Sequence, residues 1–179
     1  MLGMMFTEFM EMVERDFGPD RLDDVLEEAG TRDDGAFTAV GDYDHEELVR
    51  MVLALSRQTD RAVPDLLRAF GHHLMPTLSG RHPEFFDEAG CAFRVFENLD
   101  RVIHREVAKI YPRAVPPRIS AERLGDGAMR LHYRSERAMG DLALGLIEGC
   151  CRHFGESVEI DREATGDGEV FVVRRAGPR

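Results

Sequence analysis

No apolar run in this sequence approaches the roughly 20 residues that a membrane-spanning helix needs. The opening Met1-Leu2-Gly3-Met4 lacks the basic start and small-residue cleavage pattern of a secretory signal. Neither membrane residence nor export is expected, which places the chain in the cytoplasm. Positive charge is also short: Asp and Glu outnumber Lys and Arg 34 to 23, giving a net charge of −11, and the arginines are scattered among carboxylates. Such a surface repels a phosphate backbone and argues against a nucleic-acid partner. Cysteine is scarce, and the three present, Cys91, Cys150 and Cys151, are odd in number with two adjacent. No disulfide framework or Cys-x-x-Cys metal knuckle can be drawn from them, so they read as free thiols.

What is present is ordinary for a globular protein. The 179 residues are 43% hydrophobic and 32% charged, enough for one sizeable core or two small subdomains sharing an interface. Apolar residues at Leu2, Met5, Phe6, Phe9, Val13 and Phe17 follow the spacing of a helix with one buried stripe. Gly18 ends it and Pro19 opens a second helix with Leu22, Val25, Leu26 and Ala29, closed by Gly30. After a polar loop from Thr31 to Tyr43, Asp44 and Glu47 resemble a capping box for a third helix. Pro64 opens a fourth, carrying Leu67, Phe70, Leu74 and Leu78, which Pro76 should kink or shorten. A turn at Pro83–Phe86 then leads to the longest helical reading, Cys91 to Tyr111, with the stripe Val95, Leu99, Val102, Ile103, Val107 and Ile110.

Three prolines between Pro112 and Pro117 end the helical part, and beyond them the apolar period falls from 3.6 to 2. Arg118–Leu124 and Ala128–Tyr133 about Gly125-Asp126-Gly127 read as a hairpin. A helix from about Glu136 to Phe154 and a second hairpin, Val158–Arg162 with Val170–Arg174, complete an α+β fold. Its expected parts are a helical N-terminal subdomain, residues 1–63, and a subdomain of residues 64–179 that combines packed helices with about four antiparallel strands.

Two features carry chemistry. His104 lies about 100° around the helix from Ile103, at the margin of the apolar stripe and on the side shared with Asp100, so it can face a pocket. A neutral imidazole is a good ligand for haem iron, although a histidine so placed is more often a hydrogen-bonded residue of core or surface. Tyr133, Ser135 and Arg137 offer a phenol, a hydroxyl and a guanidinium fork, a donor set suited to carboxylates at the mouth of an apolar slot. They share one face if the strand runs on through Arg137; alternatively they are unremarkable polar residues at a strand end.

Taken together, the opening Met1-x-Gly3, Ile103-His104, Pro116-Pro117, Tyr133-x-Ser135-x-Arg137 and Gly145-Leu146-Ile147-Glu148-Gly149 resemble the haem nitric oxide/oxygen-binding (H-NOX) domain over essentially the whole chain. This is the gas-sensing module also found in soluble guanylate cyclase. The resemblance implies haem b held between the two subdomains, distal (1–63) and proximal (64–179). His104 would be the iron ligand, Tyr133, Ser135 and Arg137 would hold the propionates, and Pro117 would press on the porphyrin. Met5, Phe9, Leu74, Leu78, Met139, Leu142 and Leu146 would line the rest of the pocket. Oxygen-binding members carry a tyrosine five residues past the clamp arginine; here that residue is Leu142. An apolar distal pocket is therefore expected to bind nitric oxide and carbon monoxide and to exclude oxygen. His72 and His73 are expected on the polar side of the fourth helix.

The resemblance further implies that nitric oxide weakens the iron–His104 bond and lets the porphyrin relax against Pro117. The two subdomains then rotate, and a separate partner, a sensor histidine kinase or a cyclic-di-GMP enzyme, reads the change. Output within this chain is not expected, nor is zinc of the kind that some members hold in a C-terminal cysteine cluster. Two rival readings remain open from sequence: a haem-free interaction module of the same fold, and a haem enzyme. The second would need a distal acid–base group or a thiolate ligand.

Overall fold

The computed structural model describes residues 1–110 and 115–176. In chain order these form α1 (Met4–Phe17), α2 (Pro19–Ala29), a 3₁₀ turn (Arg32–Gly35), α3 (His45–Thr59), α4 (Val63–Arg81) and α5 (Pro83–Asp87). They continue with α6 (Ala92–Asn98), a π-helical turn (Leu99–Ile103), α7 (His104–Ile110), β1 (Arg118–Arg123), β2 (Ala128–Arg134), α8 (Gly140–His153), β3 (Val158–Thr165) and β4 (Gly168–Arg175). The proline break at Pro112 and the helix end at Tyr111 lie outside the described residues.

The expected periodicities produce these elements. On α1 the stripe buries Phe6, Phe9, Met12 and Val13, while Leu2 falls before the helix and pairs in an isolated bridge with Asp42. Gly30 caps α2 in the left-handed conformation, with φ 58°. Asp44 caps α3 by accepting the Glu46 N–H at 3.0 Å. The capping box is only half made: the buried Glu47 carboxylate turns inward and accepts the Arg32 N–H at 3.2 Å.

The two hairpins join into one antiparallel sheet of order β1-β2-β4-β3. Its inner face is set where β2 meets β4, with Met129 opposite Val173 and Leu131 opposite Phe171, all fully buried. Each such side chain contributes about 1.5–3 kcal/mol by leaving water.

Apolar side chains gather in two groups. One lies among α1–α4, around Phe6, Phe9, Met51, Leu55 and Phe70, and takes Leu142 from α8 and Met139 from just before it. The other lies between α5, α6, the sheet and the opposite flank of α8, around Phe93, Phe96, Ile147, Cys150 and Phe171. Leu78 of α4 and Leu146 of α8 touch both groups. The two helices that bear them are packed with almost no side chain between them. A Cβ on Gly71 would stand 2.5 Å from the Leu142 carbonyl oxygen, and one on Gly145 would run into the Arg68 carbonyl. Only glycine permits this approach.

Several expectations are corrected. Pro76 does not shorten α4, which runs on to Arg81; the proline faces solvent, where water can satisfy the carbonyl its ring leaves free. The segment after Pro83 is the short helix α5, not a plain turn. The long helix from Cys91 is interrupted by the π turn immediately before His104, and Val102 is 36% exposed because that turn shifts the stripe. Strand β2 ends at Arg134 and α8 begins at Gly140, with Ala138 at φ 49° in between, so Glu136 is outside the helix.

Candidate functional site

The two apolar groups leave between them a cavity of about 320 Å³, walled by α4, α6, the π turn, the sheet and α8. His104, Pro117, Tyr133, Ser135, Arg137, Met5, Leu74, Leu78, Met139, Leu142 and Leu146 all line it. Phe9 does not. It is fully buried one turn further along α1, edge-to-face on Phe70 at 5.3 Å between ring centroids. Met5 is partly buried and lines the cavity, whereas Phe9, one turn on, packs on Phe70 of α4.

His104 enters from the first turn of α7, its side chain 18% exposed. Its Nδ1 lies 2.8 Å from Oδ1 of Asp100, one turn earlier, and the other oxygen of that carboxylate accepts the Ile119 N–H of β1 at 2.9 Å. A carboxylate partner makes Nδ1 the protonated nitrogen, which leaves the Nε2 lone pair free to ligate. Sequence reading missed Asp100 as a functional residue. Its i,i+4 spacing to the histidine was the available signal, whereas the link to Ile119 exists only once β1 docks.

Tyr133 is the last inward residue of β2. Burial pushes its phenol above the ordinary value, with the Ser135 hydroxyl and the Met139 backbone pulling the other way. Ser135 and Arg137 reach the cavity through a turn, not through strand alternation. The Ser135 Oγ accepts the Arg137 N–H at 3.2 Å, and the guanidinium donates to the Val115 carbonyl at 2.6 Å. Arg81 and His82 at the end of α4 also line the cavity, on a stretch that sequence reading gave no role.

The opposite wall is hydrocarbon and thioether, from Met5, Leu74, Leu78, Leu142 and Leu146. Neither His72 nor His73 is among the lining residues. His72 Nε2 binds Glu148 at 2.8 Å, and His73 turns to α1, where Nδ1 meets Arg15 at 2.8 Å. Both sit among polar partners, as expected, although the side chain of His73 is only 6% exposed.

The donor set and the slot fit a flat, largely apolar group with anionic substituents and a metal at its centre. The lining includes the His104 imidazole, whose Nδ1 is taken by Asp100, together with a phenol, a hydroxyl and a guanidinium. The family model described as Haem-NO-binding matches residues 2–162. The chain belongs to this family.

Solved structures agree with that assignment. The chain is 38% identical to the H-NOX protein of Shewanella woodyi, solved in solution bound to IWP-051 in the Fe(II)CO state, with 100% of this chain and 97% of that one covered and a TM-score of 0.85. It is 30% identical to the Fe(II) unliganded H-NOX protein of K. algicida, covering 99% and 98%, at a TM-score of 0.92. A mutant of the T. Tengcongensis H-NOX is 26% identical, covering 99% of each chain, at a TM-score of 0.88. The α+β fold is thus that of H-NOX proteins, the chain is a haem-binding gas-sensor domain of this family, and its cofactor is haem iron.

Other expectations concern the surroundings of the site. Cys150 lies in the cavity wall and Cys151 behind it, both buried, and burial pushes the Cys151 thiol up to about 12 and raises that of Cys150 as well. Burial thus favours the neutral thiol at both positions. Among the described residues, no helix is long and apolar enough to cross a membrane.

Proposed function

We propose that this H-NOX domain is a nitric oxide sensor that also takes carbon monoxide, rejects dioxygen, catalyses no reaction and signals to a separate protein. In this reading His104 ligates the iron, Tyr133, Ser135 and Arg137 hold the haem carboxylates, and Pro117 bears on the macrocycle. The haem, when bound, would supply an iron centre able to take a diatomic gas.

The observation that carries the selectivity is the apolar wall of Met5, Leu74, Leu78, Leu142 and Leu146, with His72 and His73 engaged elsewhere. Dioxygen needs a hydrogen-bond donor at that wall to be retained, and nitric oxide does not. His104 serves as a tether whose position is relayed by Asp100 to the Ile119 N–H of β1. Loss of the tether changes what Asp100 and Pro117 hold in place. Residues 1–63 then shift against residues 64–179 where α1 and α3 pack on α4. The gas selects between two states by binding them unequally, and the partner reads the difference. A sensor histidine kinase or a cyclic-di-GMP enzyme is the proposed class of partner.

The test is the absorption spectrum of the reduced, haem-loaded protein without ligand, in air and with nitric oxide. Air should leave it unchanged and nitric oxide should shift it, and His104→Ala should remove control of the partner by the gas. A stable spectral change in air overturns the selectivity.

A further inference from the structure

The polar seam between α1 and α4 lies outside the cavity and has no part in the proposed sensing. Glu8, Glu11 and His73 each bring one potential ligand atom there, all within 4.8 Å of one another. Glu8 is a buried carboxylate whose Oε2 accepts the Thr77 hydroxyl at 2.7 Å, and Glu11 is exposed. Nε2 of His73 lies 3.5 Å from that same Glu8 oxygen and, although buried, has no hydrogen-bond partner.

The tautomer makes this nitrogen informative. Arg15 is always a donor, so its contact with Nδ1 at 2.8 Å requires a lone pair there, and the ring proton must sit on Nε2. That leaves a buried N–H facing a carboxylate without a hydrogen bond, an unfavourable arrangement. The opposite tautomer presents a lone pair to Glu8 and Glu11 and requires only that Arg15 withdraw one nitrogen. Arg15 already holds Asp16 through its other two, at 2.7 and 2.9 Å.

We propose that Glu8, Glu11 and His73 bind a first-row transition dication, zinc first, separate from the haem iron. One imidazole with two carboxylates suits such an ion, whereas calcium and magnesium prefer an all-oxygen shell. Buried Glu8 and His73 form the floor of the site, and exposed Glu11 leaves the side by which the ion enters and a water completes its shell. The ion joins α1 to α4 behind Met5, Leu74 and Leu78, and so braces the helices that form the apolar wall. Arg81, with one nitrogen 3.7 Å from the other Glu8 oxygen, offsets part of the carboxylate charge without occupying Oε2.

The experiment is equilibrium dialysis of the haem-loaded protein against zinc chloride, with bound zinc counted per haem iron. One equivalent should saturate, and zinc should raise the unfolding temperature. Glu11→Gln, at an exposed position that leaves the fold intact, should weaken binding by about 100-fold, at least the effect of losing an outer-shell partner. His73→Asn should do the same. Arg15→Gln should tighten binding, because it frees Nδ1 and removes a positive charge. The absence of a saturable equivalent, binding unaltered by Glu11→Gln, or binding no tighter in Arg15→Gln overturns the proposal.

Discussion

Replacing Asp100 by alanine removes two bonds at once, because one carboxylate serves both His104 Nδ1 at 2.8 Å and the Ile119 N–H at 2.9 Å. The Ile119 amide sits half-buried at the start of β1, and leaving it without an acceptor costs about 1–3 kcal/mol. The ion-pair component with His104 adds less, about 1 kcal/mol at most, because the Asp100 side chain is 42% exposed and solvent screens it. A total near 2–3 kcal/mol corresponds to a drop of about 5–10 °C in the unfolding temperature of a chain this long. Asp100→Asn keeps one acceptor oxygen and should lose roughly a third of that. The second readout is haem retention: loss of the carboxylate that orients a metal-binding histidine weakens the metal by about 10–100-fold. Transfer of haem to an excess of apomyoglobin should be faster by a comparable factor. An Asp100→Ala protein with unchanged unfolding temperature and haem-loss rate would refute the claim that the sheet positions His104 through this residue.

Gly145→Ala should destabilise the protein by about 1–3 kcal/mol, since the new methyl meets the Arg68 backbone and not a yielding side chain; thermal unfolding measures it. Glu148 accepts from Arg68 and from His72 at 2.8 Å; burial raises its pKa, but these two bonds outweigh burial and hold the carboxyl below its usual range. The sign follows from the depressed folded value: the stabilisation is complete above the ordinary carboxylate pKa of about 4.3 and is lost as pH falls through the folded value. Glu148→Gln should therefore lower stability at pH 7 and flatten its decline below about pH 4.5, as followed by urea unfolding at stepped pH.

Much of the fold was legible because it rests on local rules. Phe6, Phe9 and Val13 repeat at helical spacing, and Met129, Leu131 and Tyr133 alternate at strand spacing. Both give the same answer whatever packs on them. Errors fell where two local signals competed or a side chain answered to a distant one. Glu47 looked like the second half of a capping box, yet it was drawn inward to the Arg32 amide, 15 positions away in sequence. Ser135 and Arg137 were expected to reach the pocket by alternation. They arrive through a turn in which one caps the other's amide.

The sequence by itself determined the classes of element, the order of helices and hairpins, and the residue types able to hold a metal and carboxylates, because these depend on periodicity and on the chemistry of single side chains. Tertiary structure alone decided which of those residues meet. The antiparallel pairing of β2 with β4 aims Tyr133 at the cavity, and the packing of α1 on α4 leaves Met5 at the cavity and seats Phe9 on Phe70. The glycine contact between α4 and α8 brings the two apolar groups together around one slot. Docking of β1 gives Asp100 a second bond and so orients His104. These are distances between segments far apart in the chain, and only the packing of the whole core sets them.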